Sequence, residues 1–401
     1  MFKYPSIIRR TYKHYEKVAE QIRNRGNKPL RFAAYVLYDS TFGGYGLMDL
    51  MLSDLQHYSP KIVICPDVAR GETHLKEQYK RTKAFFVEKY GAEYVIDGYN
   101  EITGQFIDNS GQFDVIYCAN PYDSMVNEVH GVQYLSTKNV LPIYINYGYT
   151  ISKWHYVSVE TNIEMSLFYK YYVDSTYTQK QIKKYQLAKG NNTVLVGYAK
   201  LDSLIVKHKN KITRLKVLIS PHHTIDNQAK TLYLSNFLIY YNLIIELPDL
   251  FPDIDFVFRP HPLLFINLIN QHKWSKEMVE KYKSKLSEKN IQYSYGGDYL
   301  HLFNECDAII HDCGSFMVEW LYTGKPCCYV VRGEHVRKQL DLLGNKALDY
   351  HTLAYNRNDI ISFINNLKTN YKISNISSEI KNNIILNHPN VSNTILNNIL
   401  C

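Results

Sequence analysis

The sequence predicts an α/β protein built from two successive doubly wound, Rossmann-type domains, and three observations lead there. At 401 residues, 45% hydrophobic and 21% charged, the chain is globular in composition and long enough for two domains of roughly 200 residues. Short apolar runs alternate with helical segments, the pattern of parallel βα units. The alternation runs once from Phe32 to about residue 186 and restarts at Lys216.

In the first series, strands are expected at Phe32–Tyr38, Lys61–Cys65, Glu93–Ile96, Asp114–Cys118, Val140–Ile145 and Phe168–Val173. Helices are expected from about Leu47, over Glu72–Tyr90 and near Thr178–Gln186. In the second series, strands are expected at Lys216–Ser220, Asp255–Arg259, Asp307–His311 and Cys327–Val331, with helices at Ala229–Leu247 and Ser275–Glu288. The implied organisation is a basic N-terminal helix over 1–30, a first domain over 31–195, a second over 196–365 and a helical tail over 366–401. Ligands of such sheets bind at the carboxyl ends of the strands, and in a pair of such domains also in the cleft between them.

Charge is unevenly placed. Residues 1–31 hold nine cations and two anions, +7 of the formal +8. A basic stripe over a folded face is missing, which argues against a nucleic-acid binder. Within the basic segment Ile7, Ile8, Thr11, Tyr12, Tyr15, Val18, Ala19 and Ile22 recur at helical spacing. Such a helix either lies on anionic lipid or packs its apolar stripe on the protein's own body. The seven cysteines form no C-x-x-C pair, so reduced, mostly buried thiols and no zinc site are expected. With no signal peptide and no apolar run long enough to span a bilayer, the expected location is cytoplasmic, with the inner face of the membrane reached only through the N-terminal helix.

The strongest chemical signal is residues 307–330. An apolar strand stops at His311-Asp312, turns through Cys313-Gly314-Ser315 and enters a helix carrying Glu319, followed by Gly324-Lys325-Pro326. Gly314 allows close backbone approach, and the helix start, with Asp312 and Ser315, offers N–H groups and a positive dipole end to a diphosphate without a metal. Glu319 is placed to take ribose hydroxyls. Arg259-Pro260-His261-Pro262 closes another strand, with two prolines aiming Arg259 and His261 at phosphate oxygens. Ser220-Pro221-His222-His223-Thr224 ends the first strand of the second series. Its paired histidines suit phosphate better than metal, since acidic and Cys ligands at the right spacing are missing. In the first domain the glycines at 43, 44 and 46 do not match a dinucleotide fingerprint, so the loop after Asp39 is read as a phosphate or acceptor loop. Asp39, Asp123, His130 and His155 are candidate general bases, unranked.

Taken together, Gly197–Asp202, Ser220-Pro221, Arg259–Pro262 and Asp312–Pro326 resemble the CDP-glycerol glycerophosphotransferase family of teichoic-acid and capsule synthesis, mainly over 190–335. The resemblance implies the GT-B architecture. It implies that Arg259 and His261 bind the donor diphosphate, and that Gly314, Ser315 and Glu319 bind the rest of a CDP donor. The family's Trp-His-Gly is replaced here by Asn146-Tyr147-Gly148-Tyr149, with Trp154-His155 nearby, so the base expected from the family has no counterpart.

The function expected is metal-independent transfer of a glycerol- or ribitol-phosphate-like group from a CDP donor to a capsule or wall glycan, free or lipid-linked, with release of CMP and no cofactor. The alternatives are a GT-B sugar transferase or UDP-sugar 2-epimerase, and a non-enzymatic membrane-surface scaffold.

Overall fold

The computed structural model describes residues 5–206, 214–226, 232–296 and 298–401. Lys3 of the basic segment, part of the expected domain junction and the start of the helix expected from Ala229 lie outside them. The chain divides into two compact units. Unit one comprises residues 1–148, 156–203 and 383–401, and unit two comprises 149–155 and 204–382. The first unit therefore keeps 196–203 and regains the end of the tail. The second takes 366–382 and a short insert, 149–155, that reads in sequence as part of the first domain.

Unit one holds a seven-stranded sheet: β1 (Leu30–Val36), β2 (Tyr58–Ile64), β3 (Val95–Asp97), β4 (Val115–Cys118), β5 (Leu141–Ile145), β6 (Lys170–Val173) and β7 (Thr193–Leu195). The order is β3-β2-β1-β4-β5-β6-β7, parallel throughout. Phe32 to Val36 are all buried, which is why β1 reads as a continuous apolar run rather than an alternating one. Strand β7 went unread because three half-buried residues give no periodicity.

The N-terminal helix, Ser6–Arg23, buries Ile8, Thr11, Tyr15, Val18 and Ala19. Tyr15 donates its hydroxyl to the Leu167 carbonyl at 2.5 Å, and Tyr12 donates to that of Ser166 at 2.9 Å. Of the two readings of this helix, the apolar stripe takes the second: it packs on the protein's own body. Two of the N-terminal cations are structural as well. Arg25 and Arg31 both grip the buried Asp114 carboxylate, at 2.5 and 2.7 Å.

The tail packs on the same core through Val391, Ile395 and Ile399. Asp202 caps its last helix, Val391–Asn398, accepting the backbone N–H groups of Val391 (3.1 Å) and Ser392 (2.6 Å). Gly197 sits at φ +106°, where a Cβ would lie 2.2 Å from the Leu386 carbonyl oxygen. Gly46 is crowded too, with Ser392 Oγ 2.6 Å from the position of a Cβ. The Gly197–Asp202 stretch is thus a docking seat for the chain's own tail.

Unit two repeats the winding: β8 (Leu215–Ser220), β9 (Ile254–Phe258), β10 (Gln292–Tyr293), β11 (Ala308–His311), β12 (Cys327–Val330) and β13 (Thr352–Ala354). The order is β10-β9-β8-β11-β12-β13, again parallel. The direction of winding reverses between β8 and β11, the position where open α/β sheets take ligands. Of the helix expected over Ala229–Leu247, the described part runs over Phe237–Leu250, and Asn236, directly before it, is held by Asp312. The helix Arg357–Asn370 opens with a capping box in which Asn356 and Asp359 satisfy each other's backbone N–H groups. Six of the seven cysteines are buried thiols and Cys401 is exposed. Among the described residues no helix is long and apolar enough to cross a membrane.

Candidate functional site

The loops that follow β8, β9 and β11 meet at one end of the second sheet and are tied there by short polar contacts. Ser220 Oγ donates to the Arg259 carbonyl at 2.8 Å, and Cys313 Sγ donates to the Ser220 carbonyl at 3.2 Å. Asp312 is buried and accepts the backbone N–H of His222 on one oxygen (2.6 Å) and that of Asn236 on the other (2.5 Å). Burial raises its pKa to about 6 against the pull of those donors. Asp312 positions the His222 loop.

These ties bring His222, His223 and His261 together. Ring centroids are 4.4 Å apart for His222–His223, 4.1 Å for His223–His261 and 5.4 Å for His222–His261. One ring nitrogen of each lies within 4.8 Å of those of the other two. Burial lowers all three pKa values, to about 4 for His223 and about 3 for His261. For His222 and His261 the neighbouring imidazoles push the same way. The rings are neutral at pH 7.

Hydrogen-bond partners assign the tautomers. His261 Nδ1 accepts the Leu263 backbone N–H at 3.1 Å. His223 Nδ1 lies 3.1 Å from Asn267 Nδ2, which also donates to the His223 carbonyl at 3.0 Å and is thereby fixed as the amide nitrogen. His222 Nδ1 accepts the Thr224 backbone N–H at 3.3 Å and faces the Thr224 hydroxyl at 2.8 Å. Because Nδ1 already takes that N–H it carries no proton of its own, and the Thr224 hydroxyl, which accepts Leu234 N–H at 3.1 Å, gives its hydrogen to the ring. In each ring Nδ1 is therefore the acceptor and Nε2 carries the proton. Three Nε2–H groups suit an oxyanion; to ligate a metal through Nε2 the rings would have to shift that proton to Nδ1, where Leu263, Asn267 and Thr224 already donate.

Arg259 stands beside this group, but its guanidinium is engaged. It donates to Ser294 Oγ (2.8 Å) and the Gly296 carbonyl (2.9 Å) and lies 5.5 Å from the Tyr299 ring centroid. Tyr299 in turn donates to Glu319 Oε2 at 2.6 Å. Glu319 is 1% exposed, so it supports Tyr299 from beneath instead of presenting its carboxylate at the surface.

Three expectations for 311–326 change with the structure. The helix after Ser315 is one α-turn, Phe316–Glu319, continuing as 3-10 structure to Thr323, and so carries little of the dipole expected. Ser315 makes no side-chain cap there. The space beside Gly314 is filled by Ile151, whose Cδ1 lies 3.2 Å from where a Cβ would stand. Lys325 is buried and donates to the carbonyls of Phe303, Asn304 and Cys306 at 2.7–2.9 Å, closing the end of the helix Leu300–Glu305.

The candidate bases scatter. Asp123 accepts the backbone N–H groups of Val132 and Gln133 at 2.8 and 2.9 Å, capping a short helix, and burial raises its pKa. His130 is buried with Nε2 3.0 Å from the Ile107 carbonyl. Asp39 sits half-buried in a 3-10 turn of unit one, and His155 half-buried in the helix Lys153–Ser158. Asn146 donates to the buried Asp174 at 2.7 Å, and Tyr149 shares a 2.6 Å hydrogen bond with Tyr322. The glycine loop after Asp39 is packed shut: a Cβ on Gly44 would lie 2.8 Å from the Tyr117 ring. Sequence reading missed Asn267 and Tyr299 and gave Thr224 no role of its own, since an Asn in a helix or a Thr after two histidines carries no signal of its own.

No protein-family model and no curated protein matches the chain. Solved structures do. A variant of the wall teichoic acid polymerase TagF with CDPG matches at TM-score 0.60 and 12% identity, covering 100% of this chain and 98% of that one. The UDP-GlcNAc 2-epimerase of Neisseria meningitidis, bound to UDP-GlcNAc, matches at TM-score 0.55 and 13% identity, covering 93% and 100%. The S. aureus MnaA–UDP structure matches at TM-score 0.54 and 13% identity, covering 92% and 96%. The fold is GT-B-like. Its two parallel sheets of seven and six strands are those of a two-domain Rossmann-type protein.

Proposed function

We propose that the chain is a metal-independent transferase that moves an alditol phosphate, such as glycerol or ribitol phosphate, from a CDP-activated donor to a capsule or cell-wall glycan. The observation that carries this reading is the trio of neutral histidines with Nε2–H groups gathered at the switch point of the second sheet. A diphosphate brings several oxyanions to such a place, and each N–H becomes a charge-assisted hydrogen bond. The acceptor hydroxyl attacks the distal phosphorus in line, the bond to the bridging oxygen breaks and CMP leaves. His222, His223 and His261 stabilise the charge that collects on the phosphoryl oxygens, with Arg259 as a fixed cation nearby. The fold neighbours named above were solved with CDPG, UDP-GlcNAc and UDP, which accords with a nucleotide-diphosphate donor. In keeping with a lipid-linked acceptor, we place the chain on the inner face of the membrane, reached through the exposed cations Arg9, Arg10, Lys13 and Lys17 of its first helix.

The test is a thermal-shift comparison of CDP, CMP, UDP and GDP, followed by assay of CMP release from CDP-glycerol or CDP-ribitol with a glycan acceptor. Stabilisation by CDP or CMP and acceptor-dependent CMP release are expected. Stabilisation by UDP alone, with acceptor-free turnover of a UDP-sugar, would replace this reading with an epimerase.

A further inference from the structure

The five arginines of unit two differ in what they meet. Arg214, Arg337 and Arg357 lie at the surface against Asp255, Asp349 and Glu246, at 2.5, 3.1 and 2.7 Å. Arg259 is held by Ser294 and Gly296. Arg332 follows β12 at the carboxyl end of the sheet, half-buried, and among the described residues its guanidinium meets no carboxylate. It lies instead over the ring of Tyr233, 4.8 Å from the centroid, and donates from Nη2 to the Tyr233 hydroxyl.

Tyr233 is itself held in place. The His335 ring stacks on it with centroids 5.6 Å apart and planes at 19°. His335 Nε2 donates to the Tyr233 carbonyl at 3.1 Å, and Gln339 Oε1 accepts the Tyr233 backbone N–H at 3.2 Å. Counting hydrogens shows what this leaves over. The Tyr233 oxygen accepts from Arg332, so its own hydrogen is there to be donated, and among the described residues it has no acceptor. A guanidinium carries five N–H groups, and the Tyr233 hydroxyl takes one. An O–H beside a charged fork of N–H groups is a donor set for an oxyanion.

This donor set is tied to the histidine loop within the same unit. Leu234, next to Tyr233, donates its backbone N–H to Thr224 Oγ1 at 3.1 Å, and Ser235 donates to the Thr224 carbonyl at 3.2 Å. Asn236 gives its backbone N–H to Asp312 and its side-chain amide to the Val330 carbonyl at 2.8 Å, two residues before Arg332. Strands β8 and β12 flank β11, so the ends that carry His222 and Arg332 are roughly 10 Å apart before either side chain extends. The three histidines offer N–H groups without net charge; Arg332 adds a permanent one.

We propose that Arg332 and Tyr233 form a second oxyanion subsite beside the histidine trio, so that each subsite takes one phosphate of the donor's diphosphate. This rests on the transferase reading above and deepens it by dividing the diphosphate between two sets of donors.

Calorimetric titration of CDP and CMP into the full chain tests it, with Arg332→Gln, Tyr233→Phe and His261→Ala as variants. Arg332→Gln should weaken CDP about tenfold or more, and Tyr233→Phe, which keeps the stacked ring, severalfold in the same direction. CMP has one phosphate and fills one subsite, so only one of Arg332→Gln and His261→Ala should weaken it, whereas both should weaken CDP. Wild-type CDP affinity in Arg332→Gln and Tyr233→Phe overturns the second subsite, as do equal losses for CDP and CMP in both Arg332→Gln and His261→Ala. The same pattern with UDP and UMP in place of CDP and CMP keeps the subsite and removes the CDP reading. A wild type that binds no nucleoside diphosphate removes both.

Discussion

His223 and His261 lie with ring centroids 4.1 Å apart and both Nδ1 atoms occupied as acceptors, so neither ring gains a proton without crowding the other. The pair is stored neutral, and an incoming oxyanion is what would make a proton there favourable. This has a consequence for stability. In the unfolded chain both titrate near 6.5, whereas folded they titrate near 4 and 3. Between those values the unfolded state binds more protons, so stability is lost as pH falls below about 6.5. Each residue contributes a slope of about 1.4 kcal/mol per pH unit in that window. Thermal melts from pH 7 to 4.5 should show it, His261→Asn should flatten it, and CDP should offset it.

Removing the anion seat piece by piece should weaken the donor without unfolding the unit. His223→Ala and His261→Ala are each expected to weaken CDP binding about tenfold, the scale of one charge-assisted hydrogen bond. Calorimetric titration with CDP is the check. EDTA should leave both binding and turnover unchanged, since the Nε2–H tautomers favour an anion over a metal.

Arg259 and Lys325 should separate by function although both are buried cations. Arg259→Lys loses the fork that spans Ser294 and Gly296, and is expected to lower CMP release about tenfold or more. Lys325→Met strands three carbonyls and should cost about 1–3 kcal/mol of stability in denaturant melts. The apparent KM for donor should stay unchanged in that variant.

Gly314 and Ile151 should couple. Gly314→Ala brings a methyl to 3.2 Å from Ile151 Cδ1, a clash worth about 1 kcal/mol. Ile151→Val removes that carbon, so the double variant should be less destabilised than the two single losses added together. Additive losses in denaturant melts would show that Ile151 is not what fills the space beside Gly314.

The sequence alone determined the two parallel α/β series. Segments such as Phe32–Val36 and Ala308–His311 are buried on both faces, and continuous apolar runs punctuated by amphipathic helices are legible one segment at a time. It also found the loops at the strand ends, because Arg-Pro-His-Pro and Ser-Pro-His-His announce rigid turns with chemistry on them.

What only the tertiary structure decided is which polar groups are spent and which are free to act. Asp123 and Asp312 read in sequence as chemistry, and Asp202 and Lys325 lie within the motifs that carried it. Each proves to satisfy backbone groups that burial would otherwise leave unpaired. The histidine tautomers depend on Leu263, Asn267 and Thr224, contacts that follow from packing and from no local pattern. Hydrophobic periodicity is a property of a segment and so is written in the sequence. Whether a ring nitrogen donates or accepts is a property of its neighbours, and those are fixed only when the chain has folded.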